Sequence, residues 1–424
     1  MIELFVELKK GEITMEAIKI NAKETVRVNM KEPVLVDQAP SKPEDASPYD
    51  LTETAKNWGR YRMPKIYRMP GGAIALTYSM SIDHYYDQGR VSPLFVSKDE
   101  GKTWAKAEWP HPGLSGMHPV ISPVFGGEYY TIPARNGIRL DEYEIMPEPT
   151  PLAARGWSAY RMADCPKAVT EWYKNIAAVR WTPGNGWAEE NLQWDHEKQF
   201  VWFYDDKPQN IPGWWGQALY LEHPLVRCGD ELFVAEYWTQ YENDGGSLPE
   251  NWECYLLVSG DNARSWKRRS TIASLSEVPA YEPALEMNQS GEFVCAIRTE
   301  QHMKASPMRI TYSRDKGHTW DEPKTILGYG VFPQLLQLDN GVMALSYGRA
   351  PGTWVSFSVD GGRSWTEPYA IIDEAGKASS CGYTSLLAVG RDTFLLAYGD
   401  IHCENAAGEE RKSILVRQIT VNTA

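Results

Sequence analysis

The chain reads as short apolar runs broken at close intervals by Gly, Pro, Asn and Asp. One unit recurs: an apolar run, a polar turn and a second apolar run, usually opened by Pro. Its copies are MPKIYRMPGGAIALTYS (63–79), PVISPVFGGEYYTIPAR (119–135), PLVRCGDELFVAEYW (224–238), PALEMNQSGEFVCAIR (283–298), PQLLQLDNGVMALSYGR (333–349) and TSLLAVGRDTFLLAYGD (384–400). Each predicts a β-hairpin, because paired strand-like runs flank residues suited to a tight turn. No long window has helical periodicity. A second repeat, S-x-D-x-G-x-[ST]-W, gives SKDEGKTW (Ser97–Trp104), SGDNARSW (Ser259–Trp266), SRDKGHTW (Ser313–Trp320) and SVDGGRSW (Ser358–Trp365), with Ala263 in place of Gly in the second. Each octapeptide follows a strand-like run (SPLFV, CYLLV, PMRITY, TWVSF) and predicts another hairpin turn. Its Ser and Asp bond the backbone, its Gly supplies positive φ and its Trp caps the apolar seam.

Six hairpins, most followed by an octapeptide hairpin, predict an all-β protein: a six-bladed β-propeller of four-stranded antiparallel blades. The second blade is irregular. RWTPGNGW (Arg180–Trp187) stands as a degenerate octapeptide, and about 137–172 reads as an insertion, either a lid or rim loop or a plain surface loop. Residues 1–55 are expected to supply an outer strand that closes the ring against SILVRQITV (413–421), leaving 56–424 as the propeller.

Composition agrees with many short strands and tight turns: 17 Trp, 23 Tyr, 34 Gly and 28 Pro in 424 residues. The net charge of −13 argues against a nucleic-acid partner and offers no basic patch to an anionic membrane. An acidic ligand stays possible, since a local arginine cluster inverts the potential inside a pocket. The six cysteines have no C-x-x-C spacing, and Cys295 and Cys381 read as buried free thiols. The start, MIELFVELKKGEIT, lacks a basic segment followed by an apolar one, and no run is long enough to span a membrane. A cytoplasmic protein is expected, or a secreted one if a signal segment has been removed.

In a propeller the innermost strand of each blade begins near the axis. The six hairpins place Arg62, His118, His223, Glu282, Phe332 and Tyr383 at or beside that entrance, and the returning strands bring Arg135, Tyr237, Arg298, Arg349 and Asp400 to the same face. Converging guanidinium groups need an anion to satisfy them, and their planar donors fit a carboxylate or phosphate. The competing reading pairs each Arg with a neighbouring carboxylate. LEHPLV and GMHPVI carry no metal-ligand spacing, so neither a metal nor another cofactor is expected.

The octapeptide resembles the Asp-box, or BNR repeat, of sialidase-like propellers. The likeness extends from about residue 60 to 400. YRMPKIYRMPGGAIALTY (61–78) resembles the [FY]-R-I-P opening of sialidases, with Met63 in place of Ile, which implies that Arg62 is the first arginine of a carboxylate-binding triad. Asp87, in YYDQG, precedes the first octapeptide much as the family's acid/base Asp does, although Asp83 lies only four residues earlier. YEPALEMNQSGEFVCAIR (281–298) resembles the block that supplies the base, Glu282, and the second arginine, Arg298. SYGRAPGTWVSFSVDGGRSW (346–365) fits the third-arginine block, giving Arg349, and GYTSLLAVGRDTFLLAY (382–398) the nucleophile block, giving Tyr383. Asp400 falls where the family has a Glu that orients the first arginine; the shorter side chain puts that role in question.

The resemblance implies a retaining exo-α-glycosidase that removes a terminal acidic sugar, sialic acid or a related ulosonic acid, from a saccharide or glycoconjugate. Sialidases are the glycosidases with a Tyr nucleophile. A phenol, neutral until a base activates it, is not repelled by the substrate's carboxylate as an anionic nucleophile is. Two other readings stand beside it. A Tyr–His pair with arginines suits a lyase or glycosidase acting on uronic-acid glycans, for which His118 and His223 would serve. A carbohydrate-binding propeller without catalysis would keep the arginines and aromatics but not need acid, base and nucleophile together.

Overall fold

The computed structural model describes residues 19–21, 25–39, 62–79, 92–115, 120–133, 145–151, 153–154, 157–194, 200–204, 221–237, 241, 249, 251–301, 304–349, 351–377, 380 and 382–424. Its strands form antiparallel meanders that follow one another along the chain, with short parallel pairings of Gln193–Trp194 to Ser265–Trp266 and of Lys19–Asn21 to Ser364–Thr366 between them. The first blade is Arg62–Arg68, Ile74–Ser79, Leu94–Ser97 and Ala105–Ala107. The second is Ser122–Pro123, Tyr129–Thr131, Ile176–Thr182 and Gly186–Trp194, and the third Val226–Cys228, Glu231–Glu236, Cys254–Ser259 and Ser265–Ala273. Ala280–Met287, Phe293–Gln301, Pro307–Ser313 and Lys324–Tyr329 make the fourth; Val331–Gln337, Met343–Gly348, Gly352–Ser358 and Tyr369–Asp373 make the fifth. Thr384–Ala388, Thr393–Glu404 and Glu410–Thr423 begin the sixth. Its outer edge is covered by Val26–Met30 and Val34–Gln38, both antiparallel to Glu410–Thr423. That pairing leaves the last long strand no open edge.

The apolar runs are continuous because both faces of each blade are buried, one against each neighbour. In the fourth blade Phe293 and Cys295 pack towards the third, on Phe233, Ala235 and Leu256. The alternate residues Val294 and Ala296 pack towards the fifth, on Met343, Leu345 and Trp365. The same division recurs around the ring, and Leu395, Ala397 and Ile414 of the sixth blade meet Ile66, Ile74 and Leu76 of the first. This closure is the β-propeller architecture. Cys254 and Cys295 are buried free thiols within it; Cys381 lies outside the described residues.

The four octapeptides are the turns between third and fourth strands. In the first, Ser97 Oγ accepts from Gly101 N at 2.8 Å and Asp99 Oδ1 accepts from Thr103 N at 2.9 Å. The other three repeat this pattern. Arg68, at the far end of the innermost strand, pairs with Glu100 of the first octapeptide at 2.7 Å. These turns therefore lie at the end of the blade opposite the strand entrances.

The stretch between the second and third strands of the second blade has structure of its own. Its Ala153–Ala154 and Trp157–Arg161 join Phe200–Tyr204, which follows the blade's fourth strand, in a three-stranded sheet. A helix, Lys167–Lys174, buries Val169 and Tyr173, and the Tyr173 hydroxyl donates to Phe200 O at 3.1 Å. No described helix is long and apolar enough to cross a membrane.

Candidate active site

Three innermost strands share an irregularity at the entrance. Pairing shifts by one residue between Arg62 and Lys65, between Tyr281 and Ala284, and between Val331 and Gln334. Inside each bulge a non-glycine residue followed by Pro takes positive φ: Met63 at 57°, Glu282 at 43° and Phe332 at 47°. Such a conformation costs about 1–2 kcal/mol per residue, and a bulge is a device for re-aiming a side chain. In the sixth blade the place before the innermost strand is held by Gly382 (φ 78°) and Tyr383. Gly382 sits against the end of the fifth blade's second strand: a Cβ on Gly348 would lie 2.1 Å from Gly382 O. Only two glycines permit that approach, and it fixes Tyr383 beside Arg349.

Glu282 is the centre of the arrangement. Its Oε1 accepts from the Tyr383 hydroxyl and from Arg298 Nη1, the latter at 2.8 Å; its Oε2 accepts from Phe332 N at 2.8 Å. Only 5% of Glu282 is exposed. Burial alone would raise its pKa, but the Arg298 charge and the hydrogen bonds from Tyr383, Arg298 and Phe332 N–H outweigh it and hold the carboxyl below its ordinary range. Arg298 is buried too, and its other terminal nitrogen, Nη2, pairs with Glu300. Burial opposes its charge; Glu282, Tyr383, Tyr329 and Glu300 together hold its pKa well above the usual value. Tyr383, half-buried, stacks on Phe332 with centroids 4.3 Å apart and planes 7° from parallel. A phenol thus faces an ionised carboxylate that can take its proton, the geometry of an activated nucleophile.

Beneath this group lies a second polar cluster. Lys65 Nζ donates to Glu222 O at 2.6 Å and stands 4.1 Å from the Phe332 centroid. Burial lowers its pKa to about 8 against the pull of Glu222 and Glu282. His223 also stacks on Phe332, at 4.9 Å, and its Nδ1 meets Gln334 Nε2 at 3.1 Å. Burial, then repulsion by Lys65, lowers His223 to about 3, so its imidazole is neutral. Glu236, on the third blade, is buried; burial and then Glu222 raise its carboxyl well above its usual pKa.

Glu282, Arg298 and Tyr383 thus meet in direct contact. Arg349 follows Met343–Gly348 with φ 62° and an exposed side chain. Asp400 lies in Thr393–Glu404, where its Oδ1 accepts from His402 N at 2.7 Å. Arg62 opens Arg62–Arg68, its side chain lying outside what the structure describes; Asp87, Asp83, His118 and Arg135 also fall outside the described residues. Sequence reasoning passed over Lys65, Glu222, Glu236 and Glu300. The available signal was charge inside apolar strands, as in RMPK and VAEYW. Among the described residues no group of three or more His, Cys, Asp or Glu side chains is placed to hold a metal.

No protein-family model and no curated protein matches the chain. Among solved structures it is similar to a protein of unknown function from Dyadobacter fermentans, with TM-score 0.64 and 17% identity over 93% of this chain and 99% of that one. It is similar also to the α-L-arabinanase of Penicillium chrysogenum in complex with arabinobiose, with TM-score 0.50 and 13% identity over 92% and 98%. A Hadza microbial sialidase, Hz136, matches with TM-score 0.49 and 14% identity over 87% and 67%. At such identities the likeness is one of fold.

Proposed function

We propose that the protein is a glycoside hydrolase, and within that class a retaining exo-α-glycosidase that removes a terminal acidic sugar. The observation that carries this reading is the hydrogen bond from the Tyr383 hydroxyl to a Glu282 carboxylate kept ionised by Arg298 and Phe332 N–H. A fold likeness to an arabinanase supports a glycoside as substrate. In the first half-reaction the Tyr383 oxygen bonds to the anomeric carbon as the bond to the leaving oxygen breaks. Glu282 takes the phenol proton, and Asp87 protonates the leaving group. In the second, water attacks the glycosyl-tyrosine with Asp87 as base, and Glu282 returns its proton to Tyr383. A phenol nucleophile suits a sugar whose anomeric carbon carries a carboxylate, since no second anion approaches that group. Arg62, Arg298 and Arg349 would hold the carboxylate, with Arg298 sharing a guanidinium already engaged by Glu282 and Glu300.

The test is a panel of 4-methylumbelliferyl glycosides of sialic, ulosonic and uronic acids and of arabinofuranose, followed by trapping. A fluorinated glycosyl fluoride of the sugar that is turned over should add its glycosyl mass to the peptide containing Tyr383, and Tyr383→Phe should abolish both labelling and turnover. Label on a carboxylate instead would overturn the nucleophile assignment. Turnover of the arabinofuranoside alone would overturn the acidic sugar. Unsaturated products from uronate polymers would favour the lyase, and binding without turnover the non-catalytic propeller.

A further inference from the structure

Arg298 is held by more negative charge than its own neutralisation requires. Glu282 reaches it from the neighbouring strand, where Tyr281 and Arg298 are cross-strand partners, and accepts from Nη1 at 2.8 Å. Glu300 reaches Nη2 from two residues further along Phe293–Gln301, the spacing that puts both side chains on one face of a strand. All three residues are buried. One carboxylate is enough to pair one guanidinium. A second, taken out of water, costs several kcal/mol even after relaxation, so charge balance does not explain why Glu300 is here.

The consequence falls on the ligand. The two carboxylates engage both terminal nitrogens of Arg298, and its third nitrogen, Nε, is buried with no hydrogen-bond partner. A substrate carboxylate that approaches this guanidinium becomes the third about one positive charge. It meets the repulsion of Glu300 together with the attraction of Arg298, at similar range and in a buried site where charges are poorly screened. Arg349 stands differently. Its side chain is exposed, and the close approach of Gly348 to Gly382 fixes its backbone beside Tyr383.

Resting on the acidic-sugar reading of this pocket, we propose that Glu300 is a specificity-determining residue. It withholds Arg298 from an anionic ligand and leaves the carboxylate of the sugar chiefly to Arg349 and Arg62. It acts through the guanidinium that it shares with Glu282 and has no part in the bond-making steps. A like charge at this range moves a carboxyl by about one pH unit or more, so removing it strengthens the binding of a carboxylate about tenfold.

The experiment needs no turnover. The protein is labelled with 15N at arginine, and the Nε–H resonance of Arg298 is assigned by its loss in Arg298→Lys. The probes are acetate, which asks only for a guanidinium, and N-acetylneuraminic acid beside its methyl ester, the same sugar without the charge. The expected result is that Glu300→Gln, which leaves Nη2 an acceptor, binds acetate and the sugar acid about tenfold more tightly than the native protein. The ester should be unaffected, and Glu300→Asp, which keeps the charge, should bind acetate as the native protein does. Glu300→Met is a second neutral variant should Glu300→Gln not fold. Equal acetate affinity in the native protein and a folded neutral variant overturns the proposal, as does a gain that Glu300→Asp shows equally. A gain for acetate with no binding of the sugar acid to any form of the protein would leave the role of Glu300 standing and defeat the acidic-sugar reading instead.

Discussion

Replacing Glu282 by Gln keeps the shape of the site and removes the base we propose for it. In the native protein Glu282 accepts three hydrogen bonds, one charge-assisted at 2.8 Å from Arg298. The amide offers one acceptor oxygen, so its NH2 group must face Arg298 or the Phe332 N–H, donor against donor. Arg298 keeps Glu300 and is not stranded. The loss is then one charge-assisted bond, about 2–3 kcal/mol of stability, rather than the larger penalty for an unpaired buried charge. Turnover falls further, because an amide cannot take the Tyr383 proton: about 100- to 10,000-fold in kcat, the usual contribution of a general base. The acid limb should go as well. Glu282 titrates below its unfolded value, so its carboxylate is fully present above that value and is lost only as pH falls through the lower, folded pKa. The assay is kcat against pH on the glycoside the panel identifies, with urea melts alongside. A folded Glu282→Gln enzyme retaining more than about a tenth of wild-type kcat would refute the base assignment.

Two further outcomes concern the fold. Gly317→Ala should destabilise by about 2–4 kcal/mol, a left-handed φ of 78° together with a Cβ 2.0 Å from Leu256 Cδ2. Gly72→Ala, at φ 89° with open space around it, should show the backbone cost alone, about 1–2 kcal/mol, both read by urea unfolding. His223 is held to about 3 in the fold against an ordinary 6.5. The unfolded chain therefore takes up a proton between those values while the folded chain does not, and stability falls as pH drops through that window. Denaturant melts at stepped pH should show a fall of about 5 kcal/mol, and His223→Phe, which retains a ring against Phe332, should flatten it. An unchanged slope in the variant would put the acid sensitivity elsewhere.

How much of this was legible in the sequence follows from what each feature depends on. The blades were legible because burial on both faces leaves continuous apolar runs such as FVCAI, and because the octapeptide turn is held by Ser and Asp bonds within its own eight residues. Glu282, Arg298 and Tyr383 could be found because hairpin length sets the distance from a strand's entrance to its return; Tyr281 and Arg298 are cross-strand partners. The bulges were not legible. Their sole trace is a Pro after Met63, Glu282 and Phe332, and positive φ at a non-glycine residue leaves no mark in composition. The shift matters, since it is Met63 that fills the bulge in the first blade while Arg62 stands one residue before it. The cluster around Lys65 was hidden for a different reason: its contacts join different blades, as Lys65 to Glu222 and Gln334 to His223.

Backbone strain gives an argument for the pocket that owes nothing to any likeness. Among the described residues eight non-glycines have positive φ: Met63, Glu100, Asn262, Ala263, Glu282, Lys316, Phe332 and Arg349. They divide cleanly. Glu100, Asn262, Ala263 and Lys316 lie in octapeptide turns, where tight reversal of the chain accounts for the conformation. The other four stand at the opposite end of their blades: Met63, Glu282 and Phe332 within strand bulges, and Arg349 in the short hairpin turn between Met343–Gly348 and Gly352–Ser358. Each adds about 1–2 kcal/mol of strain in the same small region, and one of them, Glu282, is the acceptor for Tyr383. A straight strand would have been cheaper at Met63, Glu282 and Phe332. The interblade core below absorbs the cost, and in the fourth blade what it sustains is the Glu282 carboxylate set against Tyr383 and Arg298.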